Sequence, residues 1–333
     1  MITDARVLQD EFLPPEVEHR DQEINELSRA LQPIEYGESA ETAFLFGPSG
    51  VGKSCIARFT LSKLREEVST VRYEYINCWQ NHSSFSVLRE LLRGLGDSIE
   101  IHRQSTPKDL LLERLREYEG EHYLVILDEV DQLENMSILY ELYTSQNISM
   151  ILIANREEDL FIQLDERLQS RLHSSRRIMF KRYHLPELTS ILSDRVRWGL
   201  EEGVIKQDQL ELIADAAAGD ARKAIGILRS SAWMAQESGS GTISTEIIRD
   251  SIPDTEVELR QKNRDRLTSD QQTLLSIIEE EGGVSPGTLY DLYCERVDEP
   301  KSDRMVRNYL SKMRHYNLVE AKGEKRSRVY YPS

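Results

Sequence analysis

Residues 47–54 of this 333-residue chain are Gly47-Pro48-Ser49-Gly50-Val51-Gly52-Lys53-Ser54. They match the pattern G-x-x-x-x-G-K-[ST] and follow a short apolar run at residues 43–46. In such a loop, glycines let backbone N–H groups surround a β-phosphate, the lysine reaches the β- and γ-phosphates, and the serine hydroxyl ligates Mg²⁺. A helix whose N-terminus faces the phosphates is expected from Cys55 onward. The sequence therefore predicts that all eight residues and Cys55 bind ATP or ADP; a glycine-rich turn without a ligand is the alternative.

An acidic pair follows a second apolar run. Asp128 and Glu129 come directly after residues 124–127, which are Leu-Val-Ile-Leu. Because Mg²⁺ prefers carboxylate and phosphate oxygens, we expect Asp128 to lie beside the metal that Ser54 also ligates. Glu129 is the candidate general base for an attacking water. An exposed acidic strand end is the alternative, but the loop at residues 47–54 favours the catalytic interpretation.

Two further polar residues are candidates for sensing the γ-phosphate. Asn155 follows the apolar residues 150–154, and its amide is placed to orient water, although asparagine at a strand end is also a common turn former. Arg222 lies in the first turn of a helix that Asp220 is expected to cap. Because a positive charge at that position opposes the helix dipole, we expect Arg222 to reach a nucleotide phosphate.

Two arginines are candidates for an arginine finger, which acts on the nucleotide of a neighbouring subunit. Arg167 and Arg171 lie near the end of the predicted nucleotide-binding region, behind Asp165 and Glu166. The alternative is that either arginine merely pairs with one of these carboxylates on the same helix.

Alternating apolar strands and amphipathic helices predict an α/β fold, with a parallel sheet that is covered on both faces. Strands are predicted around residues 71–78, 123–127 and 150–154. From residue 186 the pattern becomes purely helical, and a charged stretch follows it. These changes predict a nucleotide-binding core at 1–185, a small helical lid at 186–253, a linker at 254–266 that is either irregular or helical, and a further domain at 267–333.

The last domain has the pattern of a winged helix. Three helices are predicted, the second with Ser285 as N-cap and Pro286 at the first helical position, and a hairpin with a basic tip follows them. In this fold the third helix enters the major groove of DNA and the hairpin tip contacts phosphates or the minor groove. A winged helix that binds protein is the alternative. The residues expected to contact DNA are Arg304, Arg307, Asn308, Ser311, Arg314, Lys322, Lys325, Arg326 and Arg328.

The charges are segregated along the chain. The net charge is −16, which by itself disfavours nucleic acid as a partner, but residues 301–333 carry nine Lys and Arg against three Asp and Glu. The local charge of +6 favours DNA binding by that segment. Arg outnumbers Lys by 31 to 11. An acidic, lysine-poor protein suits a high-salt cytosol, so we also expect a halophilic source.

The sequence carries no sign of export or of a membrane segment. No run of 18 or more apolar residues occurs, and residues 1–6 lack the apolar core of a signal peptide. Cys55, Cys78 and Cys294 lie far apart, which disfavours a disulfide or a structural zinc site. We therefore expect a cytoplasmic protein, associated with the nucleoid and without a membrane partner.

The order of these motifs resembles that of the archaeal origin recognition and cell-division-control initiator family of AAA+ proteins. The resemblance covers nearly the whole chain. It is carried by residues 12–15 with His19 and Arg20, the loop at 47–54, residues 75–78, residues 127–131, Asn155, residues 219–222 and the winged helix. Trp79 and the short spacing between the acidic pair and Asn155 mark this sequence as a divergent paralogue.

The resemblance implies a function and several residue roles. His19 and Arg20 would lie near the adenine, and an insertion at residues 84–110 would contact DNA, although residues 97–107 lack a strong basic cluster. The protein would bind origin DNA repeats as double strands, together with other initiator subunits, and would recruit and load the MCM helicase. ATP and ADP states would act as a switch, with slow Mg²⁺-dependent hydrolysis.

Two other classes of protein remain open from the sequence. One is a clamp-loader-like or transposition-type ATPase, although a clamp loader should end in a helical collar instead of a winged helix. The other is a nucleotide-gated DNA-binding regulator that loads nothing. GTP is disfavoured because no N-K-x-D motif follows the third apolar strand.

Overall fold

The computed structural model describes residues 1–96, 106–323 and 327–333, with only the backbone at His315. The chain divides into two compact units, Met1–Ile252 and Pro253–Ser333. The core and the helical lid both lie in the first unit. Within the described ranges, no helix is long and apolar enough to cross a lipid bilayer.

Five parallel strands form the central sheet of the first unit. They are β1 (Ala43–Phe46), β2 (Arg72–Asn77), β3 (Tyr123–Asp128), β4 (Ile148–Ala154) and β5 (Arg176–Met179). Their order is β2-β3-β4-β1-β5, so β1 lies between β4 and β5. Every residue of β1, β3 and β4 is buried, as expected for apolar strands covered on both faces. The predicted parallel sheet is confirmed.

Seven α-helices accompany the sheet in the described part of the first unit. They are α1 (Asp21–Leu31), α2 (Lys53–Glu67), α3 (Ser84–Gly94), α4 (Lys108–Arg116), α5 (Ser137–Thr144), α6 (Glu157–Phe161) and α7 (Glu166–Leu172). Successive strand residues point to opposite faces, so Phe44 and Phe46 pack with residues of α3, α4 and α5, whereas Leu45 packs with residues of α1 and α2. The two faces thus form two separate apolar clusters.

Strand β5 was not predicted. Its sequence is Arg-Arg-Ile-Met, and only Ile178 is buried. A four-residue strand with one buried side chain lacks the apolar run by which the other strands are recognised, and it forms because β1 offers it a free edge.

The lid consists mainly of four helices. They are α8 (Leu185–Gly199), α9 (Gln207–Ala217), α10 (Ala221–Glu237) and α11 (Thr245–Asp265). They agree with the purely helical pattern predicted from residue 186. The predicted linker at 254–266 is helical as far as Asp265, because α11 continues through Pro253.

The described residues of the second unit form three more helices and two strands. They are α12 (Ser269–Glu281), α13 (Pro286–Arg296), α14 (Asp303–His315), β6 (Val319–Lys322) and β7 (Val329–Pro332). Ser285 caps α13 with Pro286 at its first position, as predicted. The strands β6 and β7 are antiparallel, and Val284 pairs with Tyr330 of β7. The last strand of the hairpin is therefore paired with the segment between α12 and α13.

Candidate nucleotide-binding site

The phosphate-binding loop connects β1 directly to α2. Gly50 and Gly52 have positive φ values of 76° and 91°, which glycine adopts without strain. Gly52 is also the N-cap residue of α2. The chain therefore turns from the loop straight into the helix, and the first N–H groups of α2, which have no partner within the helix, face the loop. This backbone fits phosphate.

Lys53 is buried at the first position of α2. Its ammonium group donates hydrogen bonds to the carbonyl oxygens of Gly47, at 2.6 Å, and Pro48, at 2.8 Å, and to Oδ1 of Asn155, at 3.3 Å. Burial lowers the pKa of Lys53 to about 8, although the carboxylate of Asp128 partly opposes this shift. A buried ammonium with a lowered pKa gains from an anionic partner, because that partner favours the charged form.

Asp128 lies at the end of β3 and is almost fully buried. Its Oδ2 accepts hydrogen bonds from the hydroxyls of Ser54 and Tyr75, both at 2.5 Å. Its Oδ1 accepts the backbone N–H of Glu129, at 2.9 Å. The structure thus brings together Ser54 and Asp128, the two residues predicted to hold Mg²⁺. Hydroxyl and carboxylate oxygens are the donors that this ion prefers; that they bind it stays a prediction.

Glu129 and Asn155 both lie at the same edge of the sheet as the loop. Glu129 has φ 55° and ψ 45°, a left-handed conformation that is uncommon outside glycine and is often found at functional sites. The backbone carbonyl of Asn155 accepts the N–H of Gly47 at 3.2 Å, and its side chain accepts from Lys53. Asn155 is therefore tied to the phosphate-binding loop by both its backbone and its side chain.

The lid contacts the loop at the start of α10. The N–H of Ala221 donates to the carbonyl of Gly50 at 2.9 Å, and a β-carbon at Gly50 would overlap the carboxylate of Asp220. Asp220 caps α10, as predicted. Arg222 is half-buried in the first turn, and its positive charge contributes to the lowered pKa of Lys53. The structure therefore brings Arg222 close to the loop from the lid.

Arg20 is linked to the loop through Tyr183. Its buried guanidinium donates to Glu23 and to the carbonyl of Lys181, both at 2.7 Å, and lies 4.1 Å from the centre of the Tyr183 ring. A β-carbon at Gly52 would lie 2.8 Å from the Tyr183 hydroxyl. Arg20 thus fixes an aromatic ring against the loop, while its contact with adenine stays a prediction.

Two other predicted nucleotide contacts lie beside this region. His19 has φ 63°, and its imidazole lies 3.6 Å from the carboxylate of Glu18. Cys55 is half-buried in the first turn of α2, and burial raises the pKa of its thiol. A thiol with a raised pKa is a neutral packing group, so the structure gives Cys55 no sign of reactivity.

The two finger candidates lie side by side on α7. Arg167 and Arg171 are exposed, and both lie over the ring of Tyr140 in α5, at 4.1 and 5.1 Å from its centre. The guanidinium of Arg167 also donates to the Tyr140 hydroxyl at 2.5 Å. Neither forms an ion pair with Asp165 or Glu166 among the interactions found in the described parts of the chain. A tyrosine therefore supports both arginines at the surface.

The second unit carries the residues predicted to contact DNA. Those on α14 are all exposed: Arg304, Arg307, Asn308, Ser311 and Arg314. Arg307 forms an ion pair with Asp303 at 2.6 Å. Lys322 is exposed on β6, 3.6 Å from Glu320, and Arg328 is half-buried just before β7. The other two, Lys325 and Arg326, lie outside the described residues.

Two tyrosines of the site were missed by the sequence analysis. Tyr75 was placed in a strand and in the segment 75–78 that carries the family resemblance, but its hydroxyl was given no role, and Tyr183 was not singled out. Burial raises the pKa of both hydroxyls, and the charge of Asp128 adds to the shift at Tyr75. The available signal was the position of Tyr75 near the end of β2, at the sheet edge where the other polar residues meet. That its hydroxyl donates to Asp128 could not be predicted from the sequence.

This fold defines a P-loop protein of the AAA+ class. Residues 37–162 match the family model of the AAA domain, and residues 189–252 match that of the Cdc6 AAA+ ATPase-type lid domain. The predicted core and lid are therefore those of a AAA+ protein. Both matches lie within the first unit.

The relatives define the family. The chain is 56% identical to ORC1-type DNA replication protein 1 of Halobacterium salinarum, over 92% of this chain and 100% of the relative. It is 48% identical to ORC1-type DNA replication protein 9 of the same organism, over 99% and 93%. The chain belongs to the ORC1-type DNA replication proteins, so the family predicted from the sequence is confirmed. The source of these relatives agrees with the expected haloarchaeal origin.

Solved structures agree on the fold. Aeropyrum pernix ORC1, determined in complex with DNA, superposes with a TM-score of 0.77 at 24% identity, over 100% of this chain and 93% of the other. Cdc6p from Pyrobaculum aerophilum superposes with a TM-score of 0.69 at 23% identity, over 100% and 94%. At these identities the likeness concerns the fold.

Proposed function

We propose that this protein is an ATP-controlled DNA replication initiator, which binds double-stranded origin DNA and recruits and loads the replicative MCM helicase. Membership of the ORC1-type DNA replication proteins supports the role in replication. The observation that carries the control by nucleotide is the contact between the phosphate-binding loop and α10. Because the lid contacts Gly50 directly, a ligand that alters the loop also alters the lid.

The nucleotide is held by the loop and by residues that surround it. Lys53 binds the β- and γ-phosphates, Asn155 orients water, and Glu129 accepts its proton. Ser54 and Asp128 supply the oxygen ligands for Mg²⁺, which when bound offsets the charge of the phosphates. Aeropyrum pernix ORC2, which has a similar fold, was determined in ADPNP–ADP complexes, and this supports nucleotide binding here.

The switch depends on two cations that approach the same anion. Arg222 and Lys53 lie close enough for the charge of one to lower the pKa of the other. An anionic γ-phosphate between them removes this unfavourable interaction, so ATP holds the lid more firmly than ADP does. Slow hydrolysis would then weaken the hold. The rate of ATP hydrolysis thus sets the lifetime of the ATP-bound state, and rapid turnover of ATP is not required.

DNA binding is assigned to the second unit. The three helices followed by a hairpin support a winged helix. The charge of +6 in residues 301–333 and the exposed polar side chains of α14 support DNA binding with α14 in the major groove. Aeropyrum pernix ORC1, which has the same fold, was determined in complex with DNA. We expect Arg304, Arg307 and Arg314 to contact bases or phosphates. Lys322, Lys325, Arg326 and Arg328 would contact phosphates from the hairpin.

A neighbouring initiator subunit is the expected partner of α7. Arg167 and Arg171 are exposed, and Tyr140 fixes both. Arginines held in this way are suited to stabilise charge on a phosphate of another subunit's nucleotide, as in arginine fingers. We expect the protein to act in the cytoplasm, at the nucleoid, where its DNA lies.

The experiment is a footprint of the full-length protein on the DNA flanking its own gene, with ATP and with ADP, followed by capture of MCM helicase on the bound DNA. Protected repeats with ATP-dependent retention of MCM are the expected result. Specific binding without MCM would favour a nucleotide-gated regulator, and a blank footprint at all salt concentrations would contradict DNA recognition.

A matched pair of variants tests the switch. Arg222→Ala should abolish the difference in DNA affinity between the ATP and ADP states, because the lid then loses its contact with the γ-phosphate. Lys223→Ala removes a positive charge from the same helical turn and should leave that difference largely intact. Equal behaviour of the two variants would show that net charge, not the position of Arg222, is responsible.

A further inference from the structure

Tyr75 lies beside the predicted metal site, although it is not among the residues predicted to bind nucleotide or metal. It is in β2, and β2 pairs with β3, which ends at Asp128. Its hydroxyl donates to Oδ2 of Asp128 at 2.5 Å, the same oxygen that accepts the hydroxyl of Ser54. The ring packs against the apolar cluster formed by the side of the sheet that faces α1 and α2. Both ends of the side chain are therefore fixed.

The hydrogen bonds around Asp128 restrict its carboxylate. Oδ1 accepts one N–H, from Glu129, and Oδ2 accepts two hydroxyls. Ser54 is the last residue of the phosphate-binding loop, lies in the first turn of α2 and is itself a predicted metal ligand. Tyr75 belongs to the sheet. The tyrosine is thus the hydroxyl donor to Oδ2 that is not itself a predicted metal ligand.

We propose that Tyr75 is a positioning residue, which holds the Asp128 carboxylate in the orientation that binds the Mg²⁺ of Mg²⁺–ATP. This inference rests on the proposed nucleotide-binding function. Groups that hydrogen-bond to metal ligands orient them, and the loss of such a group typically lowers metal affinity by about 10- to 100-fold. The phosphates themselves do not contact Tyr75 in this scheme, so nucleotide binding without metal does not depend on it.

The test compares the full-length wild-type protein with Tyr75→Phe. The affinity for a non-hydrolysable ATP analogue is measured by calorimetry, once in EDTA and once in saturating Mg²⁺. The factor by which Mg²⁺ tightens binding should fall about tenfold in Tyr75→Phe, whereas the affinity in EDTA should stay within about twofold of wild type. Neither readout requires hydrolysis.

Tyr123→Phe is the matched control. Tyr123 is a buried tyrosine of the adjacent strand β3, and its hydroxyl donates to the backbone carbonyl of Leu91 at 2.9 Å. Removal of this hydroxyl also deletes one buried hydrogen bond, but away from Asp128. Tyr123→Phe should leave the Mg²⁺ effect unchanged, which separates the position of Tyr75 from a general loss of stability.

The outcomes distinguish the inference from the function on which it rests. Equal Mg²⁺ tightening in wild type and Tyr75→Phe, or stronger tightening in the variant, overturns the inference alone. An equal loss of affinity in EDTA and in Mg²⁺ overturns it as well, because that pattern indicates a structural defect. Failure of the wild-type protein to bind nucleotide overturns the proposed function and this inference together.

A measurement on the wild-type protein covers the case in which Tyr75→Phe does not fold. Addition of Mg²⁺ to the nucleotide complex should shift the carbon–oxygen stretching band of one tyrosine in an infrared difference spectrum, since its acceptor oxygen then lies beside the metal. A difference spectrum without a tyrosine band overturns the inference.

Discussion

Nucleotide binding should take up a proton at Lys53. Burial lowers the pKa of this lysine from 10.5 to about 8 when its partners are the carbonyls of Gly47 and Pro48 and the amide of Asn155. A bound phosphate favours the ammonium form and raises this pKa again. Near pH 8 about half of the free protein therefore has a neutral amine, which must be protonated on binding.

The size of the effect follows from the pKa. With a value of about 8 in the free protein and complete protonation in the complex, the uptake is about 0.1 proton at pH 7, about 0.5 at pH 8 and about 0.9 at pH 9. The affinity for nucleotide should fall about tenfold between pH 7 and pH 9, equivalent to about 1.4 kcal/mol. The sign is fixed because the protonated form is the one that binds.

The assay is calorimetry of ADP binding in EDTA, so that no metal titration contributes. Each pH is measured in two buffers of different ionisation enthalpy, and the difference in heat gives the number of protons taken up. Lys53→Arg is the control, because guanidinium remains charged throughout this range. This variant should take up no proton at pH 8. Uptake below about 0.2 in wild type, or undiminished uptake in Lys53→Arg, would refute the reasoning.

Three further outcomes are expected. Gly50→Ala should destabilise the protein by about 2–4 kcal/mol in denaturant unfolding, because a β-carbon is strained at φ 76° and overlaps Asp220. The control is Gly239→Ala, which is also at positive φ but in open space and should cost only about 1–2 kcal/mol. Equal costs for the two variants would show that the lid contact is unimportant. Removal of both Arg326 and Arg328 should weaken DNA binding about uniformly across sequences and flatten the salt dependence by about one to two units of slope, whereas a purely sequence-selective loss would contradict phosphate contact. The thermal midpoint should rise with salt concentration, as expected for a net charge of −16, and full stability in dilute buffer would argue against a halophilic protein.

Much of the fold could be predicted because its signals are local. The buried strands are near-continuous apolar runs, and the lid helices show apolar residues at helical spacing, so their approximate bounds follow from periodicity. Caps such as Asp220 and Ser285 mark helix starts in the same way. Strand β5 escaped because its formation depends on the free edge of β1 and not on its own composition.

The candidate site divides in a similar way. Lys53 and Ser54 carry their chemistry in a contiguous motif, and Asp128 and Glu129 are marked by the apolar run before them. Arg222 was found through its unfavourable position in a helix dipole. Tyr75 lies in the segment 75–78 that carries the family resemblance, but nothing in that segment assigns a role to its hydroxyl, which matters only because it lies beside Asp128.

The sequence by itself determined the class of nucleotide site, the α/β core and the helical lid, because each depends on a motif or a periodicity within a short stretch of residues. Tertiary structure alone decided which residues meet at that site. Tyr75 and Asp128 are 53 positions apart in the sequence. Gly50 and Ala221, the first residue of α10, are also in contact although they lie far apart in the sequence. Such contacts depend on strand order and on the docking of the lid, which are set by burial of apolar faces from distant segments and not by any local pattern.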